Sequence, residues 1–200
     1  AVGEDGTVLK AAAGTKPWAL QAIPTGAGHL NALHLTAADQ GWLVAEGGKA
    51  KAYELTPAEP DVWQPRPPPS GSNVDLHDVV VVGSNVWVVG AAGTILHWDG
   101  AQWKRHKVAG VNVTLRGIHF SGATGWIAGD AGTLLTTKAS AGPWKVHTAS
   151  KISTNLRSVS LPSATTGWAV GDGGAIYAWD NADSRWKRQA APVGTDATLR

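Results

Sequence analysis

Two hundred residues, 43% hydrophobic and only 16% charged, fit one compact domain that buries about 70% of its unfolded surface. Lys and Arg number 17 against 15 Asp and Glu, a formal net charge of +2 with no basic cluster, so nucleic acid is not an expected partner. No stretch of 18 apolar residues announces a membrane span, and the absence of Cys removes disulfides, thiol nucleophiles and thiolate metal sites.

The chain opens on AVGEDG and contains no Met, which fits a processed product and gives an exported location as the expectation. Residues 1–21 then offer short strands at TVLKA (7–11) and WALQ (18–21), preceded by a turn at Glu4. LNALHL (30–35) opens a second unit, whose tail, LTPAEPDVWQPRPPPSGSN (55–73), is so rich in Pro that a protruding loop is expected there. A third unit reads LHDVVV (76–81), VWVVG (86–90), TILHW (94–98) and WKRH (103–106). A fourth repeats it as LRGIHF (115–120), WIAG (126–129), TLLTT (133–137) and WKVH (144–147). The fifth is LRSVSL (156–161), WAVG (168–171), AIYAW (175–179) and WKRQ (186–189), and TLR (198–200) begins one more first strand.

All eleven Trp residues fall on three repeat positions. Trp42, Trp87, Trp126 and Trp168 open second strands; Trp18, Trp63, Trp103, Trp144 and Trp186 mark the fourth; Trp98 and Trp179 end the third. Strands of this length, Gly-rich turns and a period of about 40 to 45 residues describe a β-propeller blade. The expected fold is all-β: one domain over 1–200, a five-bladed propeller of four-stranded antiparallel blades closed by pairing of the two termini. Blade 1 takes 1–25 completed by 195–200, and blades 2 to 5 take 26–69, 70–109, 110–150 and 151–194. The Trp residues are read as packing groups between blades, because repetition in every unit is what packing requires.

GWAVGDGGAIYAWDNADSRW, with NLRSVSLPSATT before it, resembles the repeat of the Ycf48-like and BNR (Asp-box)-like propeller superfamily, which includes a photosystem II assembly factor. VWVVGAAGTILHWDGAQW is also similar to repeats of secreted or surface proteins of myxobacteria. The resemblance implies a propeller and leaves function open, since this repeat serves many roles. The Asp-box itself survives in fragments, WDGAQW (98–103) and WDNADSRW (179–186).

Two sets of polar residues return with the repeat. The second residue of each first strand is Asn31, His77, Arg116, Arg157 or Arg200, and the turn after the second strand carries Glu4, Glu46, Asp130 or Asp172, with Ala91 breaking the series. If first strands line the axis, the first set rings the channel and the acidic turns lie near one mouth. Arg–Asp contacts joining blades are the plainer reading, and an anion-binding mouth centred on Arg116 and Arg157 the sharper one.

The expected function is a non-catalytic binding or scaffold module that meets a protein partner through one face around the channel. The alternative is a lectin whose Trp98 and Trp179 stack on sugar rings. A glycoside hydrolase or sialidase comes third: Asp130 and Asp172 sit in Gly turns that favour Asp for backbone reasons, and the catalytic constellation of a sialidase is missing. No cofactor motif and no metal-ligand spacing is found, so neither is expected.

Overall fold

The computed structural model describes residues 1–11, 17–46, 50–70, 72–190 and 197–200. Four antiparallel sheets of four strands follow one another along the chain, each with its strands in sequence order from the inside outwards. Strands β1 (Leu9–Lys10) and β2 (Ala19–Leu20), with a bridge between Val2 and Val8, make the N-terminal blade. Blade 2 is β3 (Leu30–Ala37), β4 (Gln40–Ala45), β5 (Lys51–Thr56) and β6 (Glu59–Pro65). Blade 3 is β7 (Leu76–Val82), β8 (Asn85–Gly90), β9 (Thr94–Trp98) and β10 (Trp103–His106). Blade 4 is β11 (Leu115–Ser121), β12 (Thr124–Gly129), β13 (Leu134–Thr137) and β14 (Lys145–Val146). Blade 5 is β15 (Leu156–Ser163), β16 (Thr166–Gly171), β17 (Ile176–Asp180) and β18 (Arg185–Arg188). The first strands β3, β7, β11 and β15 lie beside one another, as the walls of a propeller channel do.

A blade of two apolar faces cannot cover either one alone, and the core is accordingly split into four clusters lying between blades. The second-strand Trp of one blade meets the fourth-strand Trp of the next edge to face. Trp42 and Trp103 stand 5.5 Å apart at 89°, Trp87 and Trp144 5.5 Å at 87°, and Trp126 and Trp186 5.2 Å at 90°. This geometry sets the positive ring edge on the negative face, adding to the gain from burial. The turn between second and third strands abuts the chain entering the next blade. A Cβ on Gly132, whose φ is +67, would lie 1.9 Å from the Ile152 carbonyl oxygen, so only Gly fits.

The expectation of a protruding loop over 55–73 fails for the first part of that stretch. The Pro-rich stretch does not leave the sheet at Leu55: β5 runs to Thr56, and β6 follows after Pro57 and Ala58 as a seven-residue strand with Trp63 1% exposed. Proline is compatible with this strand because it is the outermost one, whose solvent side needs no amide donor.

Candidate functional site

The second residue of each first strand reaches the channel for a reason the sequence does not spell out. The ladder from first to second strand skips it every time: Leu30 pairs with Ala45 and Ala32 with Val44, Leu76 with Gly90 and Asp78 with Val89, Leu115 with Gly129 and Gly117 with Ala128, Leu156 with Gly171 and Ser158 with Val170. Asn31, His77, Arg116 and Arg157 are therefore the extra residues of four equivalent β-bulges, a device that re-aims a side chain out of the sheet's alternation. They line one open cavity of about 440 Å³ together with Arg200, Glu46, Asp78 and Ser158.

Arg116 grips Asp130 with two hydrogen bonds, Nε to Oδ1 at 2.6 Å and Nη2 to Oδ2 at 2.9 Å. Arg157 grips Asp172 in the same way, both at 2.7 Å. Asn31 donates to Glu46 at 3.3 Å and to the Leu76 carbonyl of the next blade at 2.8 Å. The Arg–Asp pairs thus lock first strand to turn inside one blade, where contacts joining blades were expected. The carboxylates of Asp130 and Asp172 are turned to the guanidinium groups, and the fork geometry makes each pair specific. Asp172 is held well below the usual carboxylate range by Arg157 first and then by Asn155, which donates to it at 3.0 Å. Glu4 and Arg200 occupy the same two repeat positions in the N-terminal blade, and both are exposed.

Sequence reasoning overlooked Asp78. It stands where the other first strands carry Ala32, Gly117 and Ser158, and an acid in a column of small residues was the available signal. Its carboxylate accepts hydrogen bonds from Val79 N and from Ile118 N of blade 4, each at 2.8 Å, and burial pushes its pKa up to about 6. Beside it, His77 is pushed below the usual imidazole value by burial and then by Arg116. The mouth is a polar ring of both charges, suited to hydrogen bonding.

Trp98 and Trp179 stand elsewhere, in the blade interfaces. Trp98 lies 5.8 Å from Trp42 and 5.5 Å from Trp103, and Trp179 lies 4.9 Å from Trp126; both are half-buried. The Asp-box fragments cap tight turns: Asp99 accepts from the amides of Ala101 and Gln102, and Asp180 from those of Ala182 and Asp183.

No protein-family model and no curated protein matches the sequence. Solved structures do. A Ycf48 bound to a D1 peptide superposes with a TM-score of 0.68 at 22% identity, over 88% of this chain and 58% of that one. Ycf48 from Cyanidioschyzon merolae gives 0.57 at 18%, over 82% and 57%. Its fold is a Ycf48-like β-propeller. The WD40 propeller domain of Doa1 superposes at 0.73 with 15% identity, over 98% of this chain and 65% of that domain. The chain thus spans 57% to 65% of the length of these Ycf48-like and WD40 structures.

Proposed function

We propose that this propeller is a non-catalytic binding module that meets a protein partner with the face carrying the channel mouth. The observation that carries the reading is the set of four bulges, which in four blades turn a long or polar side chain out of the ladder and into one cavity. Packing alone gives no reason for such a ring, because Asn31, His77, Arg116 and Arg157 are polar side chains that the bulges turn out of the ladder. Support of a coarser kind comes from the Ycf48 structure that holds a D1 peptide and from the WD40 domain. A sugar-stacking role for Trp98 and Trp179 would need rings free of neighbours, whereas both pack on other Trp rings.

Photo-crosslinking from two positions tests the reading. A crosslinker in place of His77, at the mouth, is expected to capture a discrete polypeptide partner, and capture is expected to fall when Arg200→Glu is added. The same group at Lys145, on the outer edge of blade 4, is expected to capture none. Equal capture from both positions would overturn the proposal, as would glycan binding that disappears with Trp98→Ala.

A further inference from the structure

Of the polar side chains around the channel mouth, Asp78 is the one that the blade architecture does without elsewhere. At its repeat position blades 2, 4 and 5 hold Ala32, Gly117 and Ser158. The acid is unfavourable for the fold, because burial pushes its pKa up to about 6 and its ionised form is disfavoured. Two backbone amides fix the carboxylate without supplying a positive charge: Val79 N donates to Oδ1 and Ile118 N, of blade 4, to Oδ2, each at 2.8 Å. Each oxygen therefore keeps a lone pair, and the group lines the open cavity of about 440 Å³. A carboxylate that opposes folding, is held rigidly and lines a cavity has the character of a binding group.

The other charges of the cavity decide what it binds. Arg116 and Arg157 are already matched, each in a fork with its own carboxylate, Asp130 or Asp172. Glu46 accepts from the Asn31 amide, and neither Glu46 nor Asp78 has an ion-pair partner among the described residues. His77 has its pKa lowered by burial and then by Arg116, against smaller opposing effects of Asp75, Glu46 and Asp130, so at neutral pH it adds little charge. Arg200 also lines the cavity but is exposed, where it can meet a different group of the partner. The unmatched charge inside the mouth is thus negative.

We propose that Asp78 and Glu46 receive a basic side chain of the partner, an arginine or lysine that enters the channel mouth. This rests on the reading of that face as a protein-binding surface and names the chemistry it recognises. A guanidinium fork matches the two free lone pairs of Asp78, and the bound cation supplies the counter-charge that the fold itself withholds. Because the two amides hold the carboxylate before the partner arrives, little ordering remains to oppose the contact.

The probe is N-acetyl-argininamide, titrated at low ionic strength into the isotope-labelled chain and followed through the amide signals of Val79 and Ile118, the two donors to Asp78. Saturable shifts are expected, and the uncharged isostere N-acetyl-citrullinamide is expected to bind about tenfold more weakly or worse. Asp78→Asn, which keeps the shape and removes the charge, is expected to lower affinity about tenfold or more, and Glu46→Gln by a smaller factor. Wild-type affinity is expected to fall about tenfold between pH 7.5 and pH 5, as Asp78 takes up its proton. The comparison of the two probes uses only the wild-type chain, so it decides the matter even where a variant fails to fold. Absence of saturable shifts, equal binding of the citrulline probe, unchanged affinity in folded Asp78→Asn, or the same shifts from Ca²⁺ at a lower concentration would overturn the proposal. None of these outcomes depends on whether a crosslinker at His77 captures a polypeptide, so the two readings fail separately.

Discussion

Trp126 and Trp168 hold the same place in adjacent blades, yet one is sealed and the other meets solvent over nearly half its surface. Nothing in their own strands accounts for this: WIAG and WAVG are close variants with the same ladder to the strands on either side. The difference lies one blade further on: β15 and Trp186 cover Trp126, whereas among the described residues no core cluster includes Trp168. Each blade therefore contributes half a core, and its stability belongs to the boundary it shares.

The sharpest way to break this comparison is to empty both places. Trp126→Ala is expected to cost about 3–5 kcal/mol in urea denaturation, as for other buried aromatic truncations, and Trp168→Ala about 1 kcal/mol or less. Equal losses would show that Trp168 is as well packed as Trp126. Next comes the turn. Gly132→Ala drives a Cβ into the Ile152 carbonyl at a φ of +67 and is expected to cost roughly 2 kcal/mol or more. Gly173, with φ +61 and open space around it, occupies a position where Ala92 and Ala131 already stand at φ 53. Gly173→Ala is therefore expected to cost about 1 kcal/mol or less, and melting curves of the two variants compare them directly.

Acid should separate the regions again. His34, His77, His97, His106, His119 and His147, all in blades 2 to 4, have pKa values lowered by burial. For such groups the unfolded chain binds more protons, so their contribution is present above the unfolded value of 6.5 and is lost as pH falls through the lower folded values. Asp78 acts in the opposite sense: with its pKa raised to about 6, its ionised form opposes folding, and protonation relieves that cost as pH falls. Six groups against one predict net destabilisation between pH 7 and 5. Amide exchange is expected to quicken more in blades 2 to 4 than in blade 5, and uniform protection across that range would contradict the assignment. The smallest contrast is between two arginines. Arg157→Ala, which strips Asp172 of its bidentate partner, is expected to lower Tm measurably, whereas exposed Arg200→Ala is expected to change stability by no more than about 0.5 kcal/mol.

The fold was legible because its signals are periodic: eleven Trp residues on three positions and turns of Gly beside Asp identify blade, strand order and facing side. The ring of Asn31, His77, Arg116, Arg157 and Arg200 was legible by the same counting, on the assumption that first strands line the axis. What could not be read was the device behind it, since a bulge is decided by pairing between strands and leaves no residue-type mark on Asn, His or Arg. Asp78 escaped notice because its role depends on an amide from the neighbouring blade, Ile118 N, forty residues away. The run after Leu55 misled for the converse reason: Pro forbids a ladder bond only where a partner strand exists, and composition does not say which strand is outermost.

Three hydrogen bonds at the inner strands that join one blade to the next are of similar reach along the chain. Asn31 meets Leu76 across 45 residues, Asp78 meets Ile118 across 40 and His119 meets Leu161 across 42. The loop closed at each step is therefore nearly constant, and so is its entropic cost, since that cost grows only with the logarithm of length. A chain emerging from the ribosome can dock each first strand on its predecessor as soon as about forty further residues are free, and the Trp pair that seals the boundary follows within about sixty. Assembly then runs in the direction of synthesis, and the order of folding is written into the order of the repeats.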